Sequence, residues 1–205
     1  VRKFPYPIAT AFLQLAFVTV CLALANVVAH LCTREDKRAH RSWLLGPHFL
    51  YKLRHVAPVG LLFGFKYGVT NWGLQLVPVG MHLLLQSSDL IWTVLMARLL
   101  NKERIGLIEY LAAALSTAGS MMIALHVGQV VEAPLVPLLV NLLTPLMLAL
   151  CVSTLRMGAK ELFRKDNRLG GSIGATEFTA LKLALSSAIA LILACLIERG
   201  EQLYS

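Results

Sequence analysis

Three polar side chains inside one apolar run are a place to start. His82, Gln86 and Asp89 stand in MHLLLQSSDLIWTVLMARLL, residues 81–100, at i, i+4 and i+7, and a helix puts all three on one face. An ionisable group in hydrocarbon costs roughly 2.5 to 3.5 kcal/mol on insertion scales, so such residues face a bundle interior or a wet cavity. The preceding apolar run carries Tyr67 and Asn71 at i, i+4, with Lys66 and Thr70 on the neighbouring stripe. Lys182, in TALKLALSS, is a second isolated cation. Amide, phenol, ammonium and carboxylate together offer hydrogen bonds and charge to a polar solute, and Asn71 and Gln86 are read as ligand or water contacts. Lys66 and Asp89 fall at similar depth, and pairing there would remove most of the penalty each bears alone. His82 is expected to be a wetted helix-end histidine, and Lys182 to snorkel toward its helix start.

The same residues do not form a catalytic set. There is no placeable Ser–His–carboxylate arrangement, no HExxH, no GxSxG and no Gly-rich phosphate loop, so no catalytic residue is assigned and the protein is read as a non-enzyme. The cysteines at 21, 32, 151 and 195 include no CxxC pair and no His at ligand spacing. They are expected to be packing residues, with no metal and no cofactor.

The elements that must hold these side chains are membrane helices. The chain of 205 residues is 57% hydrophobic and 15% charged with a mean hydropathy of +0.69, well outside the range of a soluble domain. Apolar runs at about 5–31, 56–76, 80–98, 106–127, 134–156 and 174–197 approach or exceed bilayer length and leave little chain for anything else. Each is expected to be helical, because backbone groups in hydrocarbon need internal partners and no barrel-like alternation is present. The reading is an all-α polytopic bundle of about six transmembrane helices, one transmembrane domain over 1–205. A net charge of +8 could indicate nucleic acid, but its placement excludes that. Connectors 32–55, 98–104 and 156–168 hold six, three and five Lys or Arg, while 77–80 and 128–133 hold none. This alternation is the positive-inside pattern of six successive crossings. It makes 32–55 a basic cytosolic connector, its SWLLGPHFLYKL portion either an interfacial stretch or a plain loop. The basic loops face cytosol and anionic lipid.

Small residues recur at four-residue spacing, Gly60, Gly64 and Gly68 in one run and Ala112, Ser116 and Ser120 in another, and both rows are expected to let helices approach closely. Runs 56–76 and 80–98, joined by LVPV, should form an antiparallel hairpin. Pro134, Pro137 and Pro145 should start and then bend or break the fifth helix, with Asn141 and Thr144 satisfying freed carbonyls.

FPYPIATAFLQLAF, the stretch VAPVGLLFGFKYGVTNW through QSSDLIWTVLMARLLNKER, and TALKLALSSAIALILACLIERGE resemble the second, third and fourth, and seventh helices of the triose-phosphate/nucleotide-sugar translocators, solute carrier 35-like members of the drug/metabolite transporter superfamily. The resemblance implies ten helices in two inverted repeats, of which this chain supplies helices two to seven. It further implies exchange of a sugar-phosphate or nucleotide-sugar by alternating access, with the site at the midplane between repeats. Gln86 matches the lysine that binds phosphate in the phosphate translocators, Tyr67 a histidine of the third helix, Asp89 an acidic residue and Leu90 the proline after it. Glu198 matches a luminal Glu at the end of the seventh helix, and Arg156 an arginine with a structural or gating role. An amide at 86 cannot supply the lysine's charge, which points away from plastid triose-phosphate exchange and toward a Golgi nucleotide-sugar branch.

The expected substrate-binding residues are therefore Lys66, Tyr67, Asn71, Gln86, Asp89 and Lys182. The expected partners are a small-molecule solute, membrane lipids and, in a homo-oligomer, further copies of the chain. The expected location is the Golgi or another endomembrane, with the plastid envelope as the alternative. Two other functions stay open at this point. A six-helix chain without a second repeat would suit a non-transporting adaptor or subunit, and a titrating Asp89 would suit a proton-coupled exporter.

Overall fold

A computed structural model describes residues 6–32, 48–127, 135–164 and 173–203. Seven helices account for nearly all of them: α1 Pro7–Leu31, α2 Phe49–Leu76, α3 Val79–Gln86, α4 Asp89–Leu99, α5 Leu107–Val127, α6 Leu135–Leu162 and α7 Ala175–Leu203. No strand occurs among the described residues, so the all-helical reading holds. Among the described residues four segments are long and apolar enough to cross a bilayer: Pro7–Leu31, Val79–Leu99 (α3 and α4 together), Leu135–Leu162 and Ala175–Glu198. Lys52, Arg54 and Lys66 dilute α2, which begins at Phe49, before the apolar run at 56. The HFLYKL portion of the expected surface connector is thus helix, from Phe49 onward.

Neighbours in space are not neighbours in sequence. α2 packs between α7 and α6, α1 covers α7, and α4 packs on α6 with α5 outermost. α2 and α3 do turn back on each other through Val77 and Pro78, but α6 rather than α4 lies along α2. The expected side-by-side hairpin of runs 56–76 and 80–98 therefore does not form.

The glycine row of α2 is the seam with α7. A Cβ at Gly64 would stand 2.7 Å from the Ser186 carbonyl oxygen and 2.8 Å from Ile189 Cβ, and one at Gly60 would stand 2.5 Å from Leu185 Cβ. At this closeness the Ser186 hydroxyl donates to the Gly60 carbonyl at 2.9 Å, one of the cross-helix bonds that serve as glue in bundles lacking a hydrophobic drive. The second small row behaves otherwise. Ala112 and Ser116 are exposed, and α5 turns Ala113 and Thr117 inward instead. The inward face lies one residue further along than four-residue spacing indicated, because small residues continue around that helix.

Polar contacts gather at the two ends of the bundle. At the basic end the Lys52 ammonium meets the Glu177 carboxylate at 2.5 Å, both side chains almost wholly buried. There Tyr51 donates to Glu161, Thr176 to Asn26, and Arg156 Nη1 holds both oxygens of Glu103 at 3.1 and 2.9 Å. At the opposite end the Glu198 carboxylate accepts from the Ile8 and Ala9 amides at 2.6 and 3.3 Å, which fills the first-turn donors that every helix leaves open and sets a negative charge on the positive end of the α1 dipole. α6 runs unbroken past Pro145. The carbonyl that Pro145 deprives of its partner is that of Asn141, and Thr144 Oγ1 donates to it at 2.8 Å, as expected, so the proline does not break the helix. Of the cysteines, only Cys151 is a core residue; Cys21, Cys32 and Cys195 are exposed, against their expected role in packing.

Candidate functional site

Two half-buried cations define the middle of the bundle. Lys66 of α2 points its Nζ over the Tyr67 ring, 5.0 Å from the centroid, and Lys182 of α7 sits 4.3 Å from the centroid of Phe63. The two rings tilt against each other at 6.0 Å. The ring faces give each ammonium partial compensation, which is worth more once water is excluded. Cys151 of α6 packs into the same cluster as Phe63, with Tyr67 against it. Neither ammonium is within ion-pairing distance of a carboxylate among the described residues. Asp89 is within electrostatic reach of Lys66 but does not pair with it, because α4 packs on α6 instead of on α2. Nor does Lys182 snorkel along its own helix as expected; it turns inward onto Phe63.

The expected single helix over 80–98 is broken at Ser87 and Ser88. Their hydroxyls bond back to the Leu84 and Leu85 carbonyls at 2.6 and 2.9 Å, offering the backbone an alternative to its i−4 ladder. The Ser88 amide follows to the i−3 carbonyl of Leu85 at 3.4 Å. A new helix starts at Asp89, whose carboxylate lies in the first turn of α4, where the dipole favours it. Gln86 ends α3 half-buried. Discontinuous crossings of this kind are where transporters build solute sites, since irregular backbone at depth is tolerated only where it lines a cavity or is covered by protein.

The other expected residues are committed elsewhere. Asn71 donates through Nδ2 to the Pro7 carbonyl at 3.1 Å and so ties α2 to the start of α1. His82 is buried rather than wetted, 2% exposed, with Nδ1 2.5 Å from Asn141 Oδ1. Asn141 Nδ2 donates to the carbonyls of Gly73 and Pro137 at 3.1 and 2.8 Å. Because that nitrogen uses both hydrogens on carbonyls, Oδ1 must accept, and the His82 proton therefore sits on Nδ1. The Gly73 position fits, since a Cβ there would stand 2.8 Å from Asn141 Oδ1. Replacing Asn141 with Leu keeps the volume but orphans the His82 N–H and the Gly73 carbonyl, at about 1–3 kcal/mol for each buried group. A clear fall in melting temperature is expected, with partial recovery in Asn141→Leu/His82→Phe.

Residues missed in the sequence complete the picture. Phe63 and Cys151 belong to the central cluster, and Lys52 and Glu177 to the buried pair. The Thr70 hydroxyl, one helical turn from Lys66, is buried with no hydrogen-bond partner. Only the i, i+4 relation of Lys66 and Thr70 was visible as a signal.

A membrane bundle with a discontinuous crossing and two half-buried lysines converging on one aromatic pair has the construction of a solute transporter. The chain belongs to the EamA-like transporter family of the drug/metabolite transporter superfamily, whose model matches residues 2–125. It is also 30% identical over 82 residues to "Probable purine permease 4" of Arabidopsis thaliana, a stretch covering 38% of this chain and 22% of that protein. The chain thus spans about a fifth of the length of the curated relative it matches. No solved structure matches it at a significant level.

Proposed function

We propose that the protein carries an anionic metabolite of the nucleotide-sugar or sugar-phosphate class across an endomembrane by alternating access, with Lys66, Thr70, Tyr67, Gln86, Asp89 and Lys182 lining the path. One observation carries this reading: two ammonium groups from different helices reach the Phe63–Tyr67 pair, and among the described residues no carboxylate pairs with either. Burying a cation without a counter-ion is costly, and an anionic cargo removes that cost on arrival. Asp89 leaves the neighbourhood net positive. Gln86 and the Thr70 hydroxyl suit sugar or base hydrogen bonds, the rings a sugar or base face. Asn71, held by the Pro7 carbonyl, shapes the chamber by fixing α1 against α2. The nucleotide-sugar resemblance supports the Golgi as the compartment.

A second reading follows from the permease relative: a neutral purine stacked on the rings, the lysines structural. Exchange assays in proteoliposomes separate the two. Charge-assisted hydrogen bonds are worth about 1.5–3 kcal/mol, so Lys66→Met and Lys182→Met should each lower nucleotide-sugar exchange by about tenfold or more while the protein still inserts. Purine uptake that survives both substitutions, with no nucleotide-sugar exchange in the parent, selects the permease reading. Unchanged nucleotide-sugar exchange in both variants removes the lysines from the path.

A further inference from the structure

At the basic end, away from the Phe63–Tyr67 pair, the corner between α4 and α5 opens into a cavity of about 370 Å³ lined by Arg98, Lys102, Glu103, Arg104 and Ile105. Three of those five side chains are cationic. The one carboxylate of the lining is already held, since Arg156 Nη1 meets both oxygens of Glu103, and the neighbouring Glu109 accepts from the Gly106 amide at 2.7 Å, so the lining itself carries an excess of positive charge. Its walls are set in place. Arg98 lies against the start of α5, its guanidinium 5.8 Å from the Tyr110 ring centroid and its Nη1 donating to the Tyr110 hydroxyl at 3.4 Å. The Glu103 amide bonds back to the Ala97 carbonyl at 3.2 Å. Lys102 turns the chain with a φ of 54°, a left-handed conformation that a residue with a Cβ rarely takes and that persists only where the surroundings impose it.

What surrounds the cavity is apolar and exposed. Leu99 ends α4 and Leu100 follows it, and Leu107, Ile108 and Leu111 open α5, with Ile108 82% exposed. A cationic pocket bordered by exposed aliphatic side chains, at the end of a crossing, is complementary to a molecule with an anionic head and a hydrocarbon tail. We propose that this corner binds an anionic phospholipid: the phosphate and headgroup carboxylate against Arg98, Lys102 and Arg104, an acyl chain along the leucines of α4 and α5. The charge alternation along the chain puts this connector in the cytosolic leaflet, where anionic lipids concentrate. Through Glu103 and Arg156 the bound lipid would brace the α4–α5 corner against α6, the helix that packs Cys151 against Phe63.

The test uses the purified full chain in phosphatidylcholine nanodiscs doped with spin-labelled phosphatidylserine or spin-labelled phosphatidylcholine, reading the motionally restricted fraction of each. Each cation held against a headgroup at this corner should contribute about a fivefold preference for anionic lipid, so the parent protein should select phosphatidylserine. Lys102→Ala/Arg104→Ala should lose at least tenfold of that selectivity. Lys37→Ala/Arg38→Ala, which removes equal charge from another basic connector, should retain it, and both variants have exposed or connector substitutions whose folding is checked by their melting temperatures. Equal loss in the two double variants would mean a general surface charge, and selectivity unchanged in Lys102→Ala/Arg104→Ala would mean no site at the corner. Full displacement of the restricted lipid by millimolar inorganic phosphate would assign the pocket to a free anion. Any of these three results overturns the proposal.

Discussion

Lys52→Met should unfold at a temperature on the order of 10 °C below the parent protein in detergent. Lys52 and Glu177 are 1% and 5% exposed at the side chain, which leaves neither charge access to solvent once its partner is gone. Removing one member of a buried pair costs about 3–5 kcal/mol, because the remaining charge stays buried without this partner. For a chain of this length each kcal/mol corresponds to roughly 2–4 °C. Glu177→Leu should do the same. The double variant Lys52→Met/Glu177→Leu should recover most of the loss, since an apolar replacement of both partners is often neutral or stabilising. The double-mutant cycle isolates the coupling between the two. Additive losses would show that the two side chains are stabilised by separate surroundings rather than by one another. The pair joins the first turns of α2 and α7, so uptake measured alongside should fall no further than the loss of folded protein explains.

A single methyl group at Gly64 tests the seam on which α2 and α7 depend. On helix propensity alone, Gly→Ala in a helix interior stabilises by about 1 kcal/mol. Here the new Cβ would lie 2.7 Å from a backbone oxygen and 2.8 Å from Ile189 Cβ. The oxygen belongs to the α7 main chain and cannot turn aside, so the helices must separate. Overpacking of this kind typically costs about 1–3 kcal/mol, and separation also lengthens the Ser186 to Gly60 bond. Gly64→Ala should therefore destabilise, and Gly64→Val should destabilise further, with a graded fall in melting temperature. Ile189→Ala should not rescue either one, because it leaves the Ser186 carbonyl in place. A Gly64→Ala protein as stable as the parent would show that the two helices are not held at this distance. At Gly119, where no atom lies within 4 Å of an added Cβ, the same substitution should be neutral or slightly stabilising.

The helical nature of every apolar run was legible in the sequence because it depends on local quantities: run length, hydropathy and the need of each backbone group for an internal partner. The same holds for the support of the Asn141 carbonyl by Thr144 beside Pro145, a matter of positions three and four apart on one helix. The inward face of Gly60, Gly64 and Gly68 was legible for the same reason.

What tertiary structure decided was which helix lies beside which. Lys66 and Asp89 looked like partners because their runs are joined by a short turn, yet α6 occupies the flank of α2 that a hairpin would have used. Lys66 and Lys182 share a neighbourhood although 116 positions separate them, since α2 and α7 meet along glycine. Lys52 looked like one more charge in a basic connector and is buried against Glu177 from the other end of the chain. Local periodicity determines which side of a helix faces inward, whereas the partner waiting there is set by packing among all the helices at once, and no spacing within one segment encodes it.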